Sequence, residues 1–316
     1  MIEIDSLTKR YGRKTVVDDL SFNCAAGEVL GFLGPNGAGK STTMKMLTGF
    51  VSPSDGHARL CGYDVQEETL EVRRRLGYLP EGAPCYAEMT PGSFLDFVAD
   101  IRGLSGSTRA TRLEEVIETM HLGPVLHQSI ETLSKGFKRR VGLAQAILHN
   151  PDVLILDEPT DGLDPNQKHE VRELIRSMSP DKLIVISTHI LEEVEAVCSR
   201  AVIIAGGRLV FDGTPLALMA RSALHNAVTI SIETIDIEHA RGAIAALSGV
   251  ASVKILEQAD SRGTLQVLAI DGAPLAAPVS ALSRDHNWQV HGLSVERGRL
   301  DDVFRDITRA GGPERG

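Results

Sequence analysis

Val29-Leu30-Gly31-Phe32-Leu33 runs directly into Gly34-Pro35-Asn36-Gly37-Ala38-Gly39-Lys40-Ser41-Thr42. Five consecutive apolar or small residues suit a strand buried on both faces. The glycines that follow leave backbone N–H groups unobstructed. Beyond them, Ser41 to Gly49 reads as a helix with Met44, Met46 and Leu47 on its apolar faces. Strand, glycine loop and helix in that order make an anion site, because the helix directs the partial positive charge of its N-terminus to where the loop N–H groups converge. The spacing is that of a loop around nucleotide phosphates. Lys40 would reach the β and γ phosphates as a point charge, Ser41 would offer its hydroxyl to Mg²⁺, and Thr42 would bond the α phosphate. A glycine-rich turn matching by chance is the alternative, and the flanking strand and helix speak against it.

Further along, Val153-Leu154-Ile155-Leu156 ends in Asp157-Glu158. A carboxylate at the end of a buried strand is costly unless it faces a cation, so Asp157 is a candidate for holding Mg²⁺ through water. Glu158 follows as the chain leaves the strand and should point elsewhere; it is the candidate general base for an attacking water. Its bland alternative is a surface acid opening the turn Pro159-Thr160. Leu183–Ser187 is a second buried run, and Ser187-Thr188-His189 places His189 at the C-terminal end of that strand. Strands alternating with helices predict an α/β layer architecture. Polar, helix-period sequence from Pro91 to Leu126 predicts an inserted helical subdomain, followed by Leu133-Ser134-Lys135-Gly136-Phe137 at the start of a helix.

A Leu-Ser-x-Gly turn lying between a phosphate loop and paired acids resembles the ATP-binding cassette family, and more narrowly the gliding-motility, ABC-2-type bacterial cassettes. The resemblance covers roughly the first 220 residues. It implies a P-loop NTPase fold with a helical subdomain at about 91–150, ATP and Mg²⁺ as ligands, and two copies closing head to tail around two ATP molecules. The whole loop Gly34, Pro35, Asn36, Gly37, Ala38, Gly39, Lys40, Ser41 and Thr42 would then hold nucleotide, and Lys40 would also serve the reaction. Ser134 and Gly136 would present a hydroxyl and an N–H to the partner's γ phosphate. Glu158 would be the base, and His189 would sense the γ phosphate. Asp164, in Gly162-Leu163-Asp164-Pro165, would lie in the loop that crosses the dimer interface; a plain turn acid is its alternative. Tyr11 would stack on adenine, the alternative being a core tyrosine. Two departures stand out. Glu81 occupies the position where the family usually has Gln; it can still ligate Mg²⁺ or position water, but it adds negative charge near phosphates. Lys135 and Phe137 replace Gly and Gln of the usual signature, with Lys135 either drawn to the phosphate or turned to solvent.

The 316 residues can hold two domains, and 42% hydrophobic with 24% charged residues is ordinary globular composition. A net charge of -9 argues against a sequence-independent nucleic-acid binder, so no nucleic acid is expected. Arg73-Arg74-Arg75 and Lys138-Arg139-Arg140 could each form a local basic patch; a solvated helix face is the plain reading of both, and it suits the first run better. Cys24, Cys61, Cys85 and Cys198 are scattered and predict reduced thiols. The N-terminus lacks the pattern of a signal peptide, and no stretch reaches the roughly 20 apolar residues of a membrane span. The expectation is therefore a cytoplasmic protein, peripheral on the inner face of a bacterial membrane and serving a separate integral-membrane permease. A cassette acting on ribosomes or DNA is the second reading; neither a repeated phosphate loop nor sustained heptads support it.

After Gly213-Thr214-Pro215 and a short helix around Leu216–Ala220, the order becomes β-α-β-β-α-β, which predicts a small ferredoxin-like α+β domain over 221–310. Its closing helix, Leu300-Asp301-Asp302-Val303-Phe304, resembles a motif of cassettes paired with compact export permeases, implying dimer contacts or control of closure. Residues 311–316 read as a disordered tail.

Overall fold

The computed structural model describes residues 1–82, 85–233, 236–259 and 262–310. The chain divides into two compact units: Met1–Gly213 with the described residues from Thr308 onward, and Thr214–Ile307. The sequence reading put the change at residue 220. The structure draws it at Gly213, so the short helix over Pro215–Met219 belongs to the second unit.

In the first unit, β1 (Ile2–Tyr11) and β2 (Lys14–Cys24) form an antiparallel hairpin that turns at Gly12. Both are long strands, and the register shifts along β1 absorb the irregular positions. The chain continues through β3 (Val29–Leu33), α1 (Lys40–Leu47), β4 (Asp55–Leu60), β5 (Tyr63–Asp64), α2 (Thr69–Arg75) and β6 (Leu76–Leu79). The predicted helical insert follows as α3 (Pro91–Ile101), α4 (Gly106–Thr119) and α5 (Lys135–Ile147). Then come β7 (Val153–Asp157), α6 (Pro165–Met178), β8 (Leu183–Thr188), α7 (Leu191–Val197), β9 (Arg200–Ala205) and β10 (Arg208–Gly213).

One sheet is antiparallel, in the order β2-β1-β4-β5. The other runs β10-β9-β3-β8-β7-β6, parallel throughout except for β10. Every residue of β3, β7 and β8 is buried, which is why those segments lack alternation. Leu7, Leu20 and Phe22 of the hairpin share one apolar core with Phe32, Met44, Ile155 and Val185. Parallel register then decides the function of one sheet edge. Leu33 lies beside Thr188, and Asp157 beside Ser187, so β3, β7 and β8 deliver their following loops to the same edge.

α5 approaches β6 through Gly77, where an added Cβ would overlap the Ala146 carbonyl oxygen. The arginines of α2 behave as read, with Arg74 and Arg75 paired to Glu71 on an exposed face. The run Lys138-Arg139-Arg140 does not. Lys138 reaches the Glu131 carbonyl and Arg140 pairs with Glu170, but Arg139 is only 5% exposed.

At the end of α5, His149 Nε2 contacts the Leu76 carbonyl at 3.1 Å. Burial, with the Arg102 charge next, holds this imidazole down at about 4 instead of 6.5. The unfolded chain therefore binds the extra proton first. Stability is fully present above pH 6.5 and falls as pH drops toward 4, by about 2 kcal/mol at pH 5 from this group alone. His149→Gln should flatten the loss of stability between pH 7 and pH 5 in chemical denaturation. Equal slopes for variant and wild type would refute the assignment.

The second unit opens with α8 (Pro215–Met219) and then follows the predicted order: β11 (Val228–Glu233), α9 (Ile237–Ala245), β12 (Val250–Ala259), β13 (Arg262–Ala269), α10 (Ala276–Asp285) and β14 (Gln289–Val295). The sheet order β12-β13-β11-β14, all antiparallel, is that of a ferredoxin-like sandwich. Val228, Ile230 and Ile232 alternate into its core against Leu265, Val267, Ile244 and Val279. The final helix is α11 (Leu300–Ala310). The tail expected at 311–316 lies outside the described residues. Among the described residues, no helix is long and apolar enough to cross a membrane.

Candidate active site

The glycines of the loop between β3 and α1 are dictated by close backbone approach. A Cβ on Gly34 would stand 2.6 Å from the Ile204 carbonyl oxygen. Gly39 has φ of +108°, and a Cβ there would stand 2.7 Å from the Val16 carbonyl oxygen. Lys40 is 7% exposed, and its ammonium folds back across the loop to donate to the carbonyls of Gly34 (2.6 Å) and Pro35 (3.4 Å). Burial lowers its pKa, while Glu158, Asp157 and Glu81 pull it back up. Ser41 and Thr42 are half-buried on the first turn of α1.

Asp157 ends β7 and is 2% exposed. Burial raises its pKa; the Glu81 and Glu158 charges add to this, and the Ser187 hydroxyl and Lys40 oppose it. The next residue turns sharply. Glu158 has φ of +50°, a left-handed conformation that costs a bulky residue on the order of 1 kcal/mol. Its N–H donates to the Ser187 carbonyl at 2.8 Å. That turn gives the two adjacent acids different surroundings, and it brings Glu158 Oε1 to 2.9 Å from His189 Nδ1. Glu81 is exposed, and its charge is felt at Lys40, Asp157 and Arg139.

Ser134 caps α5, its hydroxyl accepting from the Phe137 N–H at 3.3 Å. Gly136 is buried, and a Cβ there would meet the Gln167 carboxamide at 2.6–2.9 Å. Lys135 is exposed, with its Cδ 3.5 Å from where a Gly162 Cβ would stand. Phe137 lies against the Arg140 guanidinium, which stands 5.5 Å from the ring centre. Asp164 caps α6, accepting from the N–H groups of Asn166 (2.9 Å) and Gln167 (3.0 Å) in a full capping box. Through Gln167 and Gly162, the Ser134 turn and the Asp164 loop therefore touch within one chain. Tyr11 is 52% exposed, with the Lys9 ammonium 5.0 Å from its ring centre, so it is not a core residue.

One residue of this site escaped the sequence reading. Arg139 donates through Nη2 to the Glu158 carbonyl. Its signal was helical spacing: it shares the buried stripe of α5 with Gly136, Leu143 and Ala146.

These groups fit a magnesium nucleotide. Oxygen donors on Ser41, Asp157 and Glu81 suit a hard divalent cation, and a glycine cradle with a buried ammonium suits polyphosphate.

A family model described as ABC transporter matches residues 17–161. The linearmycin resistance ATP-binding protein LnrL of Bacillus subtilis (strain 168) is 30% identical over 98% of each chain. Nod factor export ATP-binding protein I of Paraburkholderia xenovorans (strain LB400) is 41% identical over 69% of this chain and 72% of its own. Among solved structures, an ATP-binding subunit of an ABC transporter superposes with a TM-score of 0.65 at 33% identity, over 69% of this chain and 91% of that one. A dimeric cassette in a post-hydrolysis state with ADP and Pi shares the fold, with a TM-score of 0.63 at 21% identity, over 68% of this chain and 99% of that one. The loop, acids and signature turn thus sit in a chain that belongs to the ABC transporter family, as an ATP-binding subunit that hydrolyses ATP with Mg²⁺.

Proposed function

We propose that two copies of this chain close head to tail around two ATP molecules and drive a separate integral-membrane permease from the cytoplasmic face of the membrane. The observation that carries the reading is the Glu158–His189 contact at the edge where β3, β7 and β8 end. Lys40 and the glycine loop would hold the phosphates there, and Ser41, Asp157 and Glu81 would hold Mg²⁺, which when bound would supply charge neutralisation at the transferred phosphoryl group. Glu158 accepts the proton of the attacking water, and His189 keeps that carboxylate in place and faces the γ phosphate. Tyr11 lies against adenine. Ser134, Gly136 and Asp164 serve the nucleotide of the partner copy, which makes each site incomplete without the second chain.

A groove of about 920 Å³ supports the permease reading. It is lined by Phe50, Leu70, Tyr78, Phe94 and Ile101, among others, between α2, β6 and the inserted helix α3. Phe50, Leu70 and Ile101 are each about 70% exposed, an apolar cluster that calls for a partner. Relatives named for resistance and for export favour outward transport. Ile101→Asp should release the permease in detergent co-purification of the tagged chain. A pull-down that returns ribosomal RNA and no membrane protein would sink the transport reading.

A further inference from the structure

The Arg139 guanidinium is buried, yet only one of its three nitrogens has a protein partner. Nη2 donates to the Glu158 carbonyl, whereas Nε and Nη1 are buried without a hydrogen bond among the described residues. Four carboxylates surround it electrostatically, Asp161, Asp157, Glu158 and Glu81, in the order of their influence, and burial outweighs them to lower its pKa. Burying a guanidinium with two idle donors is expensive, and satisfying one carbonyl does not require it. The position of that carbonyl explains the expense. It belongs to the residue with the left-handed backbone, whose N–H is held by Ser187 and whose carboxylate is held by His189.

We propose that Arg139 is a positioning residue that fixes the Glu158 peptide, and through it the catalytic carboxylate, from the helix that begins at Ser134. The assignment rests on Glu158 being the base. The backbone of Glu158 is pinned on both sides of its Cα: its N–H donates to the Ser187 carbonyl, and its C=O accepts from Arg139. Releasing the second pin lets the peptide relax from φ of +50° toward the conformations a non-glycine residue prefers. That relaxation swings the carboxylate away from His189. The positive charge of Arg139 also offsets Asp161, Asp157 and Glu81, so that the loop does not spread under its own repulsion.

Arg139→Met keeps the length and apolar stem but removes every donor. It should lower kcat by about 10–100-fold, with the KM for ATP and the binding of a fluorescent ATP analogue within about twofold, because a small misplacement of the base costs turnover and not affinity. Arg139→Gln can still donate to the Glu158 carbonyl and should recover a clear part of that loss. In a Glu158→Gln background, Arg139→Met should add no further loss, since nothing remains to be positioned. Wild-type kcat in Arg139→Met overturns the proposal, as does a Gln variant no better than Met, or an equal additional loss in the double variant. If the Met variant does not fold, Arg139→Lys carries the test. It keeps charge and a donor and should stay within about threefold of wild-type kcat, and a loss as deep as that of Glu158→Gln counts against the proposal. Should Glu158→Gln itself turn over like wild type, the base assignment fails first; an inert Arg139→Met beside an inactive Glu158→Gln removes only the positioning role.

Discussion

Glu158→Gln should leave ATP binding intact while turnover falls by about 10²–10⁴-fold, the usual contribution of a positioned general base. The amide is nearly isosteric with the carboxylate, so the left-handed backbone and the N–H bond to the Ser187 carbonyl survive. An amide oxygen can still meet His189 Nδ1, but it cannot take a proton from water. With hydrolysis stopped and Ser134 of each copy engaged, the Mg²⁺-ATP complex should accumulate as a dimer. Size-exclusion chromatography with and without Mg²⁺-ATP reads this directly, alongside phosphate release. Turnover at the wild-type rate would show that another group is the base; a monomer at saturating ATP would refute the shared-site reading.

Lys40→Ala should have an equally large effect on a different quantity. The Lys40 ammonium is buried against the carbonyl oxygens of Gly34 and Pro35, and burial weighs against its charge. Its removal gives up two charge-assisted hydrogen bonds and relieves that burial, so the melting temperature without ATP should change little. The response to ATP should vanish. Wild type at ATP a hundredfold above Kd gains about 2.7 kcal/mol through binding alone, a rise of several degrees in Tm, and the variant should gain nothing measurable at the same concentration. A variant whose Tm still rises normally with ATP would remove Lys40 from the phosphate site.

How much of this site was legible follows from how each residue acts. The glycine loop was legible because its function depends on small residues at fixed spacing before a helix, all local in the chain. Asp157 and Glu158 were separable because one ends a buried run and the other follows it; the φ of Glu158 is the turn that reading requires. For Asp164, the turn-acid meaning is the one visible in a side chain that caps α6, while its place in a loop crossing a dimer interface belongs to the proposed two-copy reading. The core alternative for Tyr11 could be dropped only once β1 was seen to carry it to solvent. Arg139 was misread because a run of three basic residues looks solvated in one dimension. On a helix, successive residues face about 100° apart, and the middle one faced inward.

The sequence by itself determined the order of strands and helices in the second unit and, in the first, the strand, glycine loop and helix at 29–49, the buried runs at 153–156 and 183–187, and the candidate acids and histidine. Each of these rests on local spacing or on periods of two and 3.6 residues, which a linear reading can count. Only the tertiary structure decided which of those pieces meet. The contact between Glu158 and His189 spans 31 residues, and the Arg139 bond to the Glu158 carbonyl spans 19. Both depend on the parallel register of β7 and β8 and on the packing of α5 over β6. Desolvation is likewise a property of the packed chain: the Arg139, Lys40 and Asp157 charges became costly, and therefore informative, when the sheet and helices closed around them.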